Sequence, residues 1–407
     1  MSSVVQAIGS PPDTGIETIK EVMHVFDYIV IGAGSAGCVM AARLAEDHSV
    51  LLIEAGRANP AWDFRLHMPA ALSEVLTSTR YNWAFETEPE PFLGQRNLYC
   101  PRGKVVGGSS SINGMIFVRG HAEDFNRWSE VYGASGWSYE DVLPFFKARE
   151  TKAGGDPDYR GHTGPLKITN GDTSSPLCQA WLEAGETLGF GRTPDFNGET
   201  QEGFGPFDRT VADGLRQSVA RAYLSPKNGL GLSGLTILTQ AEVQHIAFDG
   251  DRAVGLQVLV DGRLKSFQAS REIILSAGAI KSPQVLMRSG IGSESALKAS
   301  GIECLVPRAE VGQNLQDHLE VYVQAACPKP VSLYPSTRGL RKLAVGAQWY
   351  LTKRGDGATN HFHTGAFLRS GLDYGYPDLQ FHFLPVAMDY DGKDSYRGHG
   401  FQVHVGP

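Results

Sequence analysis

"FDYIVIGAGSAGCVMAARLAEDHSVLLIEAG", residues 26–56, places a glycine-rich turn between two apolar runs. The run Phe26–Ile31 is short and rich in strand-forming residues, which predicts a buried strand. Val39–Leu44 predicts a helix, and Val50–Ile53 predicts a second strand. The turn between the first strand and the helix has the pattern GxGxxG, formed by Gly32, Gly34 and Gly37. This order of elements predicts a dinucleotide-binding unit of an α/β fold.

Each glycine of the motif has a different structural role. Gly32 allows a tight turn, Gly34 lets the backbone approach a pyrophosphate, and Gly37 lets the helix pack closely on the strand. The helix N-terminus, at Ser35 and Ala36, offers N–H groups and the positive end of the helix dipole to phosphates. We therefore expect all five residues to contact a dinucleotide cofactor.

An acidic residue ends the second predicted strand. Glu54 follows the glycine motif by about twenty residues, where a carboxylate can accept hydrogen bonds from ribose hydroxyls. The motif by itself does not distinguish NAD from FAD. The "EAG" at residues 54–56 favours FAD, because it resembles the flavoprotein form of this fold.

A second glycine-rich stretch, "CPRGKVVGGSSSINGMIFVRG", occupies residues 100–120. It is either a surface linker or a loop that lies against a ligand. A linker rarely runs straight into an apolar segment such as "MIFVRG", so we favour the ligand loop. The N–H groups of "GGSS", Gly107 to Ser110, could form an anion-binding nest. The amide of Asn113 could hydrogen-bond a ring heteroatom.

"GAGSAG", "EAG" and "GKVVGGSSSINGMIFVRG" together resemble the signatures of the glucose–methanol–choline (GMC) oxidoreductases, a family of FAD-dependent alcohol dehydrogenases and oxidases. The resemblance implies that the second loop lies along the diphosphate and ring of FAD. Some members attach FAD covalently through a histidine at the position that matches Ile112 here, so we expect non-covalent FAD. The cofactor contacts that the resemblance implies in this loop are Gly107, Gly108, Ser109, Asn113 and Gly114.

A further signature supports the resemblance. "REIILSAGAIKSPQVLMRSGIG", residues 271–292, resembles the second signature of the family. From its residues it predicts a buried strand, a turn at Gly278 and a helix with Pro283 in its first turn. The resemblance implies cofactor contacts by Ala277 and Gly278, and a contact between the backbone of Val243 and the adenine.

Several stretches, such as "RYNWAFETEPEP" and "YPDLQFHFLPVAMDYDG", are most similar to the choline-oxidising members of the family. A site for the quaternary ammonium group of choline needs aromatic faces and a carboxylate. Glu320 matches the position of the carboxylate that meets this group in a choline-oxidising relative. His382 is implied to enter the substrate pocket and to hydrogen-bond the alcohol oxygen. A strand-edge glutamate and an ordinary interior histidine are the alternatives.

Four aromatic residues are candidates for the faces that surround the ammonium group, although core packing is the favoured explanation for each single one: Trp62, Tyr81, Trp83 and Phe85. His363 departs from the family pattern, because choline-oxidising members tend to have an acid at its position. This departure leaves open a second reading, oxidation of another primary alcohol.

The family resemblance places the main catalytic histidine, with its histidine or asparagine partner, beyond residue 407. We therefore expect a C-terminally truncated chain that binds FAD weakly and turns over poorly, with His382 as a substitute base. An inactive fragment that at most binds FAD is the third reading. An NAD-dependent dehydrogenase is a distant fourth, because such an enzyme has no use for the second glycine-rich loop.

Composition narrows the classes of partner. The chain has 407 residues and a net charge of −7, which does not suggest a nucleic-acid-binding protein. Its five scattered cysteines predict reduced thiols and a cytoplasmic location. No apolar run approaches the length of a transmembrane segment, although peripheral membrane attachment stays open. The partners expected are a small alcohol and an electron acceptor, either oxygen or a quinone.

The predicted architecture has two discontinuous domains. Residues 24–167 and 209–318 form the FAD-binding Rossmann-like domain, whose last segment is expected to be missing. Residues 168–208 and 319–407 form an incomplete substrate-binding domain with a mostly antiparallel sheet. Residues 1–23 are expected to be a disordered extension.

Overall fold

A computed structural model describes residues 24–225, 232–371, 373–388 and 396–407. The predicted disordered extension, residues 1–23, lies outside the described residues. All five cysteines are free thiols, as predicted.

The helices and strands follow one another along the whole described chain. The strands are β1 His24–Ile31, β2 Val50–Ile53, β3 Phe85–Glu86, β4 Tyr99–Cys100, β5 Ile116–Phe117, β6 Glu150–Lys152, β7 Leu166–Asn170, β8 Gly203–Pro206, β9 Asp208–Arg209, β10 Val211–Ala212, β11 Leu215–Arg216, β12 Leu235–Leu238, β13 Ala241–Asp249, β14 Arg252–Val260, β15 Arg263–Leu275, β16 Ile291–Gly292, β17 Val306–Pro307, β18 Val321–Ala326, β19 Thr364–Leu368, β20 Leu379–Leu384 and β21 Gly400–Gly406. The α-helices are α1 Ser35–Leu44, α2 Phe64–His67, α3 Leu72–Leu76, α4 Ala122–Glu130, α5 Tyr139–Arg149, α6 Pro176–Thr187, α7 Val219–Tyr223, α8 Gly278–Arg288, α9 Glu294–Ala299 and α10 Gly339–Thr352.

A six-stranded sheet carries the N-terminal motif, with strand order β12-β2-β1-β15-β14-β13. Strands β12, β2, β1 and β15 run parallel, and β15, β14 and β13 run antiparallel. Strand β2 is buried along its whole length, and both faces of the sheet are covered by apolar clusters. The predicted strand–helix–strand unit is confirmed, and the helix begins four residues earlier than expected, at Ser35. The α/β fold class is therefore also confirmed.

A five-stranded sheet, with strand order β18-β21-β20-β19-β8, is antiparallel throughout. Helix α6 packs on it through Leu182, which lies in one apolar cluster with Phe204 and Ala366. All five strands come from the segments predicted for the substrate domain, although the exact division into domains stays a prediction. The sheet brings residues near 320, 382 and 404 side by side.

One local expectation about the second family signature is wrong. Strand β15 and helix α8 follow the predicted order, and Gly278 begins the helix with a φ of +86°. Pro283, however, is the sixth residue of the helix rather than a residue of its first turn. The helix accommodates it in its interior.

A buried ion-pair network lies beneath β6, β7 and β9. Arg160 is 1% exposed, and its guanidinium reaches Glu150 at 2.7 Å, Asp195 at 2.7 Å and Asp208 at 2.6 Å. Two further cations complete it, because Arg119 contacts Glu150 and Lys152 contacts Asp208. Three cations thus balance three carboxylates, which is what burial of charge requires.

Candidate functional site

A cavity of about 550 Å³ opens at the carboxyl ends of β1, β2 and β15. This is the position at which parallel α/β sheets bind dinucleotides. Ten of the predicted cofactor contacts line the cavity: Gly32, Gly34, Ser35, Ala36, Glu54, Gly108, Ser109, Val243, Ala277 and Gly278. The other four, Gly37, Gly107, Asn113 and Gly114, are not among its lining residues.

The glycines of the first motif leave space that side chains would fill. A Cβ at Gly32, where φ is +95°, would lie 2.6 Å from the carbonyl oxygen of Ser276. A Cβ at Gly37 would lie 1.8 Å from the carbonyl oxygen of Gly32, so α1 approaches the turn only because this side chain is absent. At Gly34 the nearest atom would be 4.0 Å away, which leaves the backbone open to the cavity. These three roles fit a bound pyrophosphate.

The second glycine-rich loop packs directly on the first motif. The N–H of Gly107 donates to the carbonyl oxygen of Ala33 at 2.7 Å, and a Cβ at Gly108 would lie 2.7 Å from the Cα of Gly34. The expected anion-binding nest is wrong for three of its four members, because the N–H of Gly108 donates to the carbonyl oxygen of Val105 and that of Ser110 to the carbonyl oxygen of Gly107. The second loop therefore shapes the cavity mainly by packing closely against the first glycine motif.

Glu54 is held at the cavity edge by backbone donors. Its carboxylate accepts hydrogen bonds from the N–H of Ala33 at 3.0 Å and of Gly56 at 2.7 Å. Burial raises the pKa of Glu54 to about 7, and the two backbone hydrogen bonds oppose this increase. Each oxygen keeps a lone pair for a ribose hydroxyl, so the predicted role is compatible with this geometry.

The end of the second loop connects the cavity to the five-stranded sheet. The carbonyl oxygen of Gly114 accepts a hydrogen bond from the side chain of Asn360 at 2.8 Å. The ring of Phe362 lies next to Gly114 and also close to the rings of His382 and His404, with centroids 6.1 and 6.2 Å apart. Phe362 thus stands between the loop and a cluster of polar groups on the sheet.

That polar cluster is centred on Glu320. The Nδ1 atom of His382 lies 3.3 Å from Oε1 of Glu320, and the Nδ1 atom of His404 lies 3.5 Å from Oε2. The hydroxyl of Tyr322 donates to Oε2 at 3.2 Å. Hydrogen bonds from His382 and then from His404 hold the pKa of Glu320 well below its ordinary value. Glu320 is therefore an anion fixed by three neighbours.

The register of the sheet assembles this cluster. His382 on β20 pairs directly with His404 on β21, and His404 pairs with Tyr322 on β18. Because side chains alternate between the faces of a strand, these three lie on one face. Phe383, the neighbour of His382 on β20, stacks on Trp181 at the opposite face. The sequence analysis named Glu320 and His382 but missed Tyr322, His404 and Phe362.

The aromatic residues expected around the ammonium group do not lie in this cluster. Trp62 is 71% exposed, and the buried Tyr81 donates its hydroxyl to Asp63. Trp83 and Phe85 stack on each other, and both line the cavity beside the glycine motif. The rings that approach the cluster are instead those of Phe207, Tyr322 and Phe362.

His363 takes part in packing and does not contact Glu320. Its Nδ1 atom accepts a hydrogen bond from the N–H of Asp172 at 2.8 Å, and its Nε2 atom lies 3.2 Å from the hydroxyl of Thr359. Burial, followed by the charges of its neighbours, lowers the pKa of His363 to about 3, and burial lowers that of His361 to about 4. Both rings are neutral in the folded protein at pH 7.

Replacing His363 by asparagine is expected to make stability less dependent on pH. An unfolded histidine titrates near pH 6.5, so acidification from there towards pH 3 favours the unfolded state, which binds the extra proton. The free energy of unfolding of the wild type should fall relative to H363N by about 1.4 kcal/mol per pH unit below pH 6. Urea unfolding at pH 4, 5, 6 and 7 measures this.

The comparison of the wild type with H363N isolates the contribution of His363 to the pH dependence of stability. Glu54, with its raised pKa, acts in the opposite direction between pH 7 and pH 4.5, but its effect is the same in both proteins and cancels. Parallel curves of stability against pH would show that His363 is charged or exposed in the folded state.

The described part of the chain contains no helix with the length and apolar character that a bilayer-spanning segment needs. The predicted cytoplasmic location and the peripheral membrane attachment stay predictions.

Comparison with known proteins places this geometry in a family. The family model described as GMC oxidoreductase matches residues 26–320. Oxygen-dependent choline dehydrogenase of Brucella anthropi is 50% identical over 384 residues, which cover 94% of this chain and 69% of that protein. The corresponding protein of Ectopseudomonas mendocina is 49% identical over 389 residues, 94% of this chain and 68% of that protein.

Solved structures show the same fold. Pyridoxine 4-oxidase from Mesorbium loti is 31% identical, with a TM-score of 0.81 over 93% of this chain and 70% of that chain. Formate oxidase has a TM-score of 0.85 at 24% identity, over 94% of this chain and 73% of that chain, which supports the fold alone. Because the family model matches more than half of the chain and relatives are about 50% identical to it, this chain belongs to the GMC oxidoreductase family.

Proposed function

We propose that this chain binds FAD non-covalently and oxidises choline to betaine aldehyde. The observation that carries the proposal is the anionic Glu320, fixed beside His382, whose ring lies close to the rings of Phe207 and Phe362. A carboxylate and aromatic faces are the groups that recognise a quaternary ammonium ion. The names of the relatives at about 50% identity agree with this substrate.

The cavity at the carboxyl ends of β1, β2 and β15 is the proposed site of FAD. The turn at Gly32 and Gly34 and the N-terminus of α1 would hold the diphosphate, and Glu54 would hold the ribose. Val243 would contact the adenine, and the end of the second loop, at Asn113 and Gly114, would face the flavin ring. When bound, FAD would accept the hydride of the alcohol, and the hydroxyl proton would pass to a base, for which His382 is the candidate within the described residues.

Glu320 and His382 would divide the recognition of the alcohol between them. The trimethylammonium group has no N–H, so it does not compete with His382 and Tyr322 for the lone pairs of Glu320. Its attraction to the carboxylate is Coulombic and adds to that of the aromatic faces. His382 would hydrogen-bond the hydroxyl and so orient the reacting carbon.

The electron acceptor in the proposal comes from the relatives. Their name, oxygen-dependent choline dehydrogenase, supports oxygen as the electron acceptor to test first, with a quinone as the alternative. Another primary alcohol stays the alternative substrate. His363 does not bear on that choice, because it lies in the packing around Thr359 and Asp172.

A visible absorption spectrum tests the function and the role of Glu320 together. The purified chain, supplied with FAD, should show a flavin band that bleaches on anaerobic addition of choline. In E320Q, half-saturation for choline should rise about 10- to 100-fold, since a partly buried charge pair is worth about 1.5–3 kcal/mol. The uncharged isostere 3,3-dimethylbutan-1-ol should bleach both proteins at similar concentrations.

The control with the isostere separates charge from shape. Equal losses for choline and for the isostere would contradict the assignment of Glu320 as the ammonium partner. A band that bleaches only with another alcohol would replace choline as the substrate, and a band that no alcohol bleaches would contradict alcohol oxidation by this chain.

A further inference from the structure

The side chain of Gln402 has one possible orientation. It is 2% exposed on β21, and its Oε1 atom accepts a hydrogen bond from the backbone N–H of Met388 at 2.6 Å. A backbone N–H can only donate, so the atom that faces it is the amide oxygen. The same oxygen also accepts from the side-chain amide of Gln324 at 3.0 Å.

This orientation decides where the proton of His404 lies. With its oxygen engaged, Gln402 turns its Nε2 donor towards Nε2 of His404, 2.5 Å away. Nε2 of His404 must therefore accept, and the proton of the neutral ring is on Nδ1. A second proton on the ring would set two N–H donors against each other at this distance.

The proton on Nδ1 of His404 in turn orients Glu320. It points the ring donor at Oε2, 3.5 Å away, where the hydroxyl of Tyr322 also donates. Oε1 is then left for Nδ1 of His382 at 3.3 Å. His382 consequently carries its proton on Nδ1, and within the described residues no group hydrogen-bonds its Nε2 atom.

Glu320, His382 and His404 also have the spacing of a metal site, with one ligand atom from each within 4.8 Å of the others. A metal ion would need the lone pair on Nδ1 of His404. Gln402 removes that possibility, because its amide occupies the Nε2 lone pair and forces the proton onto Nδ1. The cluster therefore has the arrangement of a hydrogen-bond chain rather than of a metal site.

We propose that Gln402 and His404 are positioning residues, which fix Glu320 as an oriented anion and so leave His382 with a bare Nε2 atom that accepts the hydrogen bond of the substrate hydroxyl. The proton on Nδ1 of each histidine follows from its contact with Glu320, and the bare Nε2 atom of His382 is part of the proposal. Their use in orienting an alcohol rests on the proposed function. Neither Gln402 nor His404 is expected to touch the reacting atoms.

Nitrogen-15 NMR of the histidine-labelled chain at pH 7.5 tests the tautomers without FAD or turnover. Variants that lack His382 or His404 assign the two rings. We expect Nδ1 of each ring to carry a proton and Nε2 of each ring to carry none. In Q402E the new carboxylate can only accept a hydrogen bond, which requires a proton on Nε2 of His404, so that ring should become doubly protonated or move its proton to Nε2.

The NMR outcomes decide the proposal whatever the enzyme assay gives. A proton on Nε2 of His382 in the wild type, or an unchanged His404 ring in folded Q402E, would overturn it. Loss of choline oxidation with the expected tautomers would instead count against the proposed function alone. Addition of Zn²⁺ should leave both rings unshifted, and tight binding of zinc by the two rings would overturn the hydrogen-bond chain.

Two substitutions of His404 provide a kinetic test with a matched control. In H404N the asparagine Nδ2 replaces the Nδ1 donor. In H404L the leucine side chain has a similar size but no hydrogen-bond donor. We expect H404L to lose about tenfold in kcat/KM for choline and H404N to regain most of it. Equal losses in two variants that unfold at the same temperature would contradict a donor role for His404.

Discussion

Replacing Gly37 by alanine is expected to remove FAD binding. The added Cβ would lie 1.8 Å from the carbonyl oxygen of Gly32, a distance at which helix and turn cannot both keep their places. The N-terminus of α1 must move away from β1, and with it Ser35 and Ala36, which line the cavity. We expect the affinity for FAD to fall at least about 100-fold, because the phosphate-binding geometry depends on that close approach.

A glycine in open space provides the control for this prediction. Gly346 lies inside α10, and a Cβ there would meet no atom within 4 Å. G346A should bind FAD like the wild type and unfold at the same or a slightly higher temperature, since alanine favours a helix by up to about 1 kcal/mol over glycine. Titration of FAD, followed by flavin fluorescence, measures both variants. Unchanged affinity in a folded G37A protein would contradict the assigned cofactor site.

The second large effect is expected at Arg160, in the core of the protein. In R160M the carboxylates of Glu150, Asp195 and Asp208 lose the cation that contacts all three. Breaking one buried ion pair costs about 3–5 kcal/mol, and here three carboxylates are affected. Because a typical domain is stable by only about 5–15 kcal/mol, most of the variant should be unfolded or insoluble.

The control uses an arginine whose ion pair is exposed. Arg192 pairs with Glu186 at 2.6 Å on the surface, where such a pair contributes about 0–1 kcal/mol. R192M should therefore unfold at nearly the wild-type urea concentration. R160K, which keeps the charge but has fewer donors, should lie between R160M and the wild type. A soluble R160M protein with a wild-type urea midpoint would show that the network adds nothing to stability.

The sequence by itself determined the cofactor half of this protein. The strand at Phe26–Ile31, the glycine turn and the strand at Val50–Ile53 are predictable because apolar periodicity and the conformational range of glycine are local properties. Glu54 follows from its distance along the chain. The prediction of an anion-binding nest in the second loop was wrong, because the N–H groups of Gly107 and Gly108 donate hydrogen bonds to the carbonyl oxygens of Ala33 and Val105.

Only the tertiary structure decided which residues form the candidate alcohol site around Glu320. The resemblance to a family pointed to Glu320 and His382, but nothing local in the sequence connects them with His404, Gln402 or Phe362. These residues meet because β18, β21 and β20 pair in one register, and a shift of one residue would turn each side chain to the opposite face. Register depends on the pairing of strands that are distant in the sequence and not on the residues of one strand alone, so the cluster could be found only in the folded protein.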